Sequence, residues 1–179
     1  LDMASEHGES VAFTCAYAGN LRDLAGLLRR LAKEGDTVSL LEEIQELLAG
    51  GPAIYPDIPA KTTILERYTR RCIHNVSGRT IRVSLRELAD DLEIKADWLM
   101  EHIRRQEWIS DGENGWFNSY YDNHGRPVEG VQPDGSVRMM LTGQVFAIMS
   151  GTATEEQTKA IIRSADRYLY QKKTGGYRL

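Results

Sequence analysis

The sequence lacks any apolar run of about 18 residues, the length that a helix needs to cross a bilayer. Its first ten residues also lack a basic stretch followed by an apolar stretch, so they do not resemble a secretory signal peptide. With 41% hydrophobic and 27% charged residues, the composition is that of a globular domain with a sizeable core. We therefore expect no membrane-spanning segment and a cytoplasmic location.

Cysteine is scarce, since the chain has only Cys15 and Cys72. The two thiols are far apart in sequence and no secretion signal precedes them, which favours a reducing compartment. Because buried cysteine is usually inert, we favour core positions over a catalytic role for both. The sequence has no CxxC, no HExxH and no histidine cluster, so it predicts no metal site and no metal cofactor.

Basic residues do not predominate, since 22 Lys and Arg residues stand against 26 Asp and Glu residues and the net charge is −4. One segment, Leu85–Arg105, has apolar spacing typical of a DNA-reading helix-turn-helix. However, its turn would be Leu92-Glu93-Ile94, without a glycine, and its acidic side chains would face phosphates. We therefore favour two core-facing helix segments or one long helix over a helical DNA-binding domain, and we expect no nucleic-acid partner.

Hydrophobic periodicity and capping signals predict a mainly-α fold of about six helices in hairpins, with one β-hairpin excursion. Ser10 is a candidate N-cap of the first helix. A capping box at Ser39–Glu42 predicts the second helix, another at Ser84–Glu87 opens the longest one, and Thr154–Gln157 opens the last. Prolines and glycines in residues 50–60 predict an extended connector that lies on the protein. The predicted helices are Val11–Leu31, Ser39–Leu48, Thr62–Asn75, Ser84–Ile103, Arg138–Met149 and Glu155–Leu169.

The β excursion contains four aromatic residues within six positions, Trp116–Tyr121, before a predicted turn at Asp122–Gly125. A second turn is predicted at Gln132–Gly135. One hypothesis is a strand that alternates and sends half of its aromatic side chains into the core. The other is a platform for sugar rings, with Asn118, Asp122 and Asn123 as hydrogen-bond partners for hydroxyl groups.

Two carboxylates near the start of the chain, Asp2 and Glu9, are candidates for acid–base chemistry on a glycoside. Glu9 comes just before the first helix, where a carboxylate also stabilises the helix N-terminus, so the spacing alone is weak support. Gln144 is a polar residue inside an apolar helix and needs a hydrogen-bond partner, which is either the core backbone or a ligand. We favour a buried, structural Gln144.

Four segments together resemble one enzyme family. They are HGESVAFTCAYAGNLRDLA, WISDGENGWFNSYYDNHGRPVEG, MMLTGQVFAIMSGTATEEQ and TGGYRL, in that order along the chain. They resemble segments of glycoside hydrolase family 94. That family contains cellobiose, cellodextrin, chitobiose and 1,2-β-oligoglucan phosphorylases, and the phosphorylase-like part of cyclic β-1,2-glucan synthases. The insertion at residues 74–79 is most similar to the longer β-1,2-glucan-type members.

The resemblance implies part of an (α/α)₆ barrel, with residues 1–179 as a partial catalytic domain of a larger enzyme. It implies inverting phosphorolysis of β-glucosidic bonds to give α-glucose 1-phosphate. The implied partners are a β-linked gluco-oligosaccharide and inorganic phosphate as co-substrate, with no metal or organic cofactor, and a homodimer stays open. The alternative within the family is the phosphorylase-like domain of a cyclic β-1,2-glucan synthase.

The family's general acid belongs to a Trp-Asn-Asp motif, which we expect just upstream of Leu1. Asp2 lacks the preceding Trp-Asn, so we assign no catalytic residue within the chain. Asp2 and Glu9 are instead predicted to be neighbours of the substrate. Because the family's phosphate-binding residues are expected beyond Leu179, we expect the fragment by itself to be inactive. The same resemblance favours core positions for most aromatic residues of the hairpin.

Overall fold

The computed structural model describes residues 6–33, 35–48 and 51–179. The chain is 53% helical, so the predicted mainly-α class is confirmed. Within the described residues there are six α-helices: α1 (Val11–Leu31), α2 (Gln45–Leu48), α3 (Ile58–Cys72), α4 (Leu85–Gln106), α5 (Leu141–Met149) and α6 (Glu155–Tyr168). Two short 3₁₀ turns, Glu42–Ile44 and Pro52–Ile54, flank α2.

Ten short strands, counted over the same residues, form five two-stranded antiparallel sheets. The pairs are β1 with β6, β2 with β3, β4 with β5, β7 with β8 and β9 with β10. The strands are β1 (Glu9–Ser10), β2 (Thr37–Leu41), β3 (Thr80–Ser84), β4 (Trp108–Ser110), β5 (Gly115–Phe117), β6 (Tyr120–Tyr121), β7 (Gly130–Val131), β8 (Val137–Arg138), β9 (Tyr170–Gln171) and β10 (Gly176–Tyr177).

The chain divides into two compact units. The first unit combines Leu1–Asn20 with Leu99–Leu179, and the second is Leu21–Trp98. The first unit therefore contains the start of α1, the end of α4, both later helices and most of the small sheets. Glu9 lies in this first unit, and so do residues 116–121, which we call the aromatic segment.

The core of the first unit is built around the aromatic segment. Trp116 and Phe117 are fully buried, and their rings make edge contacts with Tyr168 and Trp108 at centroid distances of 5.7 and 4.9 Å. Their burial contributes about 2 to 3 kcal/mol for each side chain. The other buried members of this core are Val11, Cys15, Ile103, Met139, Ala147, Ile161, Ala165 and Leu169. The favoured core position of Cys15 is thus confirmed, whereas Cys72 is half-buried in the second unit.

The second unit contains a sheet that the sequence analysis did not predict. Residues 37–41 form strand β2 and pair antiparallel with β3, from Thr37 opposite Ser84 to Leu41 opposite Thr80. The predicted helix Ser39–Leu48 is therefore wrong over its first half, and its capping box is not formed there. The sequence Thr-Val-Ser-Leu-Leu suits a pleated strand because β-branched and alternating residues fit that geometry.

Helix α3 begins at Ile58, four residues before the predicted start at Thr62. The Asp57 side chain accepts a hydrogen bond from the Ala60 amide at 2.9 Å and caps the helix, and Pro59 fits the first turn, where its missing N–H costs nothing. The connector before it does lie on the second unit, because Tyr55 contacts Trp98 at a ring-centroid distance of 5.6 Å. It is not extended throughout, since Pro52–Ile54 forms a 3₁₀ turn.

Helix α4 is continuous through the segment that resembled a helix-turn-helix. Leu92, Glu93 and Ile94 lie inside the helix, so there is no turn that could present a separate recognition helix. In the second unit, exposed ion pairs join this helix to α1 between Arg22 and Asp97 and between Arg29 and Asp90. Such exposed pairs contribute at most about 1 kcal/mol each. The favoured interpretation of one long helix is confirmed.

The last two helices follow the prediction closely. Helix α5 starts at Leu141, because residues 137–138 belong to strand β8, and Gly151 follows it with a φ of 74°. Helix α6 opens with the predicted capping box, in which Thr154 and Gln157 exchange side-chain and backbone hydrogen bonds. In the described part of the chain, no helix is long and apolar enough to cross a membrane.

Candidate functional site

The segment that precedes α1 is anchored to the aromatic segment. Glu9 pairs with Tyr121, and Ser10 with Tyr120, in the β1–β6 sheet. The Ser10 hydroxyl accepts a hydrogen bond from the Phe13 amide at 3.2 Å, which confirms it as a cap of the helix. The Ala12 amide donates to the Ser119 carbonyl at 3.2 Å. The start of α1 is thus held by three consecutive residues of the aromatic segment.

The turn after Tyr121 binds the residues that precede β1. The Asn123 side-chain oxygen accepts hydrogen bonds from the amides of Glu6 and His7 at 3.1 and 2.9 Å. Asp122 shapes the turn by accepting from the His124 and Arg126 amides at 2.8 and 2.9 Å. The hydrogen bond from the Arg126 amide, with that from the His124 amide, lowers the pKa of Asp122. We call residues 6–12, which include the first two residues of α1, the entry segment.

Replacing Asn123 with Ala should free the first part of the entry segment. The change removes the acceptor of two backbone amides but leaves the β1–β6 pairing, so unfolding free energy should fall by less than about 1 kcal/mol. Hydrogen exchange at Glu6 and His7 should rise by about tenfold, while exchange at Ser10 changes little. Asn75→Ala, an exposed asparagine of the second unit, is the control. Unchanged exchange at residues 6 and 7 would contradict the anchoring.

The Tyr121 hydroxyl is hydrogen-bonded to a carboxylate at this site. Its hydroxyl lies 2.9 Å from each carboxylate oxygen of Glu107, which also accepts from the Asn118 side-chain amide at 3.0 Å. Burial, and then the hydrogen bond to Glu107 and the charge of that carboxylate, raise the pKa of Tyr121 to about 12. The charge of Glu9 acts in the same direction. Tyr121 therefore stays protonated at neutral pH and donates to Glu107.

A second carboxylate, Glu129, is buried beside the aromatic segment, with only 4% of its surface exposed. Its two oxygens accept from the backbone amides of Ser119 and Met140, each at 2.9 Å. The Gln144 side chain lies 3.4 Å from one of these oxygens and also donates to it. Burial raises the pKa of Glu129 to about 7, although hydrogen bonds from Ser119 and Met140 act to lower it.

Gln144 binds the same stretch of backbone from helix α5. Its side-chain oxygen accepts from the Phe117 amide and its nitrogen donates to the Phe117 carbonyl, both at 2.8 Å. Only 1% of its surface is exposed. The structural interpretation of Gln144 is therefore confirmed, and its partner is core backbone. We call Glu129 and Gln144 together the polar clasp, because they bind backbone amides on both sides of Asn118.

The aromatic segment is mostly core, as favoured above. Trp116, Phe117 and Tyr120 are buried and Tyr121 is half-buried, so these rings present no open platform to a sugar. The expected alternation is wrong, because the strand breaks at Asn118-Ser119 and its two halves pair with different partners. Residues 115–117 pair with β4, whereas 120–121 pair with β1.

Of the two predicted substrate neighbours, only Glu9 can be placed. Its side chain is exposed, next to Tyr121 in the β1–β6 pair. Asp2 lies outside the described residues. Among the residues that the structure describes, no group of histidine, cysteine, aspartate and glutamate side chains could hold a metal ion.

Sequence reasoning missed Glu107 and Glu129. Glu107 follows the last turn of α4, and Glu129 lies in the segment Pro-Val-Glu-Gly, where a charged residue normally indicates a solvated loop. No local pattern distinguishes Glu129 from an exposed residue. Its burial depends on Ser119 and Met140, each about ten positions away along the chain.

A comparison with known families shows which family the chain belongs to. The profile described as glycosyl hydrolase 94 superfamily, catalytic domain, matches residues 82–177, which is more than half of the chain. The chain belongs to the glycosyl hydrolase 94 superfamily. The match includes the aromatic segment, the polar clasp and both C-terminal helices, whereas the entry segment precedes it. A search among curated proteins gave no match.

Proposed function

We propose that this chain forms part of the catalytic domain of an inverting glycoside phosphorylase. The enzyme would cleave β-glucosidic bonds of gluco-oligosaccharides with inorganic phosphate and release α-glucose 1-phosphate. The observation that carries the proposal is the family match over residues 82–177, which contains two of the four resembling segments in full and most of the last. The superfamily is one of enzymes that act on glycosidic bonds.

We infer that the helices belong to an (α/α)₆ barrel, in which further helices would complete the ring. Outward apolar side chains on two helices of the first unit support this inference. Phe13 and Tyr17 of α1 are 53% and 64% exposed, and Met149 of α5 is 78% exposed. Large exposed apolar side chains of this kind are typical of surfaces that pack against other elements.

The chemistry needs one proton donor for the leaving glycosidic oxygen. Phosphate is itself the nucleophile, so no general base has to activate water, in contrast to an inverting hydrolase. Glu9 would be a neighbour of the sugar, since its carboxylate is exposed and its backbone is fixed by β6. The proposal includes no metal or organic cofactor, no nucleic-acid partner and a cytoplasmic location.

The test uses the complete reading frame that contains this chain. Purified protein is incubated with β-1,2-, β-1,3- and β-1,4-linked gluco-oligosaccharides, with and without inorganic phosphate, and glucose 1-phosphate is measured. Release that requires phosphate is the expected result, and the preferred substrate identifies the linkage. Glu9→Gln should lower turnover by about tenfold, whereas Glu113→Gln, an exposed glutamate in the turn before β5, should not. Absence of a phosphate-dependent product from every substrate would refute the proposal.

A second outcome would favour the family's other function. A cyclic β-1,2-glucan synthase uses its phosphorylase-like part within a larger polymerising enzyme. Activity restricted to long β-1,2-linked chains, with little glucose 1-phosphate from short ones, would support that alternative.

A further inference from the structure

The polar clasp and the entry segment both bind the backbone of the aromatic segment, and they meet at Ser119. Glu129 accepts from the Ser119 amide, and the Ser119 carbonyl accepts from the Ala12 amide. The two polar groups of residue 119 therefore connect a buried carboxylate to the first turn of α1. Tyr120 and Tyr121 then pair with Ser10 and Glu9.

We propose that Glu129 is a positioning residue whose carboxylate fixes the Ser119 peptide and, through it, the entry segment that carries Glu9. The proposal rests on the proposed function insofar as Glu9 is a neighbour of the substrate. The chain of hydrogen bonds from Glu129 through Ser119 to Ala12 does not depend on any activity.

The burial of the Glu129 carboxylate without a cation is unfavourable for stability. An apolar side chain of the same size would avoid that penalty but would leave the Ser119 and Met140 amides without an acceptor. The groups that face its oxygens are the Ser119 amide and hydroxyl, the Met140 amide and the Gln144 side chain, and none of them carries a charge. All of them are donors at these contacts. The site is therefore built to hold an acceptor with two oxygens.

The neutral isostere distinguishes positioning from space filling. In Glu129→Gln, one oxygen becomes an amide nitrogen that can only donate. The remaining oxygen should face Met140 and Gln144, because both are fixed donors there, whereas the Ser119 hydroxyl can turn to accept. The new amide nitrogen then faces the Ser119 amide, and this contact becomes donor against donor. The substitution should loosen Ser119 selectively while it conserves shape.

The experiment measures amide hydrogen exchange on the 179-residue chain at pH 8, where most of Glu129 is ionised. The variants are Glu129→Gln and, as the matched control for the same chemical change, Glu113→Gln, which is exposed. We expect exchange at Ala12 and Ser119 to rise by about tenfold in Glu129→Gln, with exchange at Ile161 and Ala165 of α6 unchanged. The control variant should match the wild type throughout.

Two results would overturn the proposal. Unchanged exchange at Ala12 and Ser119 in Glu129→Gln would mean that Glu129 only fills space. A uniform rise across α6 as well would mean that the variant is globally destabilised and that positioning is not the role. Circular dichroism verifies that the variant is folded.

A kinetic measurement connects positioning to activity and separates the two proposals. In the complete enzyme, Glu129→Gln should lower kcat by about tenfold and change KM by less than about twofold, since Glu129 is buried and its oxygens bind protein groups. If the wild-type enzyme releases no glucose 1-phosphate, the proposed function fails while the exchange result still decides the positioning role. If exchange rises but kcat is unchanged, the entry segment does not contribute to turnover, and the positioning role in catalysis fails.

Discussion

Replacing Gly143 with Ala is expected to lower the unfolding free energy by about 3 kcal/mol or more. A methyl group at this position would lie 1.6 Å from the Ser119 hydroxyl oxygen and 2.2 Å from the Ser119 Cβ. Ser119 cannot move away easily, because its amide is bonded to Glu129 and only 1% of its surface is exposed. Helix α5 would have to separate from the aromatic segment. Urea unfolding at pH 7 measures the loss.

Two variants test the cause of that loss. Gly26→Ala changes a glycine of α1 whose added methyl group would meet no atom within 4 Å. It should raise the unfolding free energy by up to about 1 kcal/mol, because alanine favours helix more than glycine. Adding Ser119→Gly to Gly143→Ala removes the clashing atoms and should recover most of the stability. If Gly143→Ala unfolds like the wild type, α5 does not lie against Ser119 as described.

Local signals predicted the parts of the fold whose contacts are local. Val11–Leu31 and Thr154–Gln157 are read directly from periodicity and from a capping box, because the atoms that bond are three or four residues apart. The turn at Gln132–Gly135 is likewise predicted from its Pro-Asp-Gly sequence, and Gly135 adopts the positive φ, 79°, that such a turn needs. These elements need no information from the rest of the chain.

The missed features depend on contacts between distant residues. Ser39 belongs to a sequence that satisfies a capping box, but it pairs with Arg82, more than forty positions away. That pairing overrides the local helix signal, because a complete strand ladder satisfies more backbone groups than one cap does. Glu129 was missed for the same reason, since nothing near it in sequence indicates burial.

The aromatic segment is neither an alternating strand nor a sugar platform. Its rings fill the core, while its backbone supports the segment that contains Glu9. Within the described residues, Ser119 and Tyr121 of this segment and Asn123 of the turn after it anchor residues 6–12. Exposed aromatic side chains could not indicate this role, because it depends on backbone groups and one amide side chain.

The stability of the wild-type chain should fall as pH rises from 5 to 8 because of Glu129. The pKa of this carboxyl is about 7 in the folded chain and near its ordinary value of 4.5 when unfolded. Between these values the folded state binds more protons than the unfolded state. The contribution of Glu129 is therefore complete below about pH 4.5 and is lost as pH rises through 7. The expected loss from pH 5 to pH 8 is roughly 2 to 3 kcal/mol.

Urea unfolding of wild type and Glu129→Gln at pH 5, 6, 7 and 8 isolates this contribution. The difference between the two proteins should change by roughly 2 to 3 kcal/mol across the series, because glutamine does not titrate in this range. Carboxyl groups with a lowered pKa, such as Asp111 and Asp122, act in the opposite direction but titrate below pH 5 and are shared by both proteins. Their effect therefore cancels in the difference.

The sign of that difference decides between two physical forces at Glu129. Burial favours the protonated form, whereas the donors from Ser119, Met140 and Gln144 favour the ionised form. A wild type that weakens with rising pH means that desolvation exceeds the hydrogen bonds, so the chain retains an ionised carboxylate at a cost in stability. A constant difference would mean that the donors compensate the burial fully. The first result, together with selective loosening in Glu129→Gln, would identify the carboxylate as a feature kept for the geometry of the entry segment.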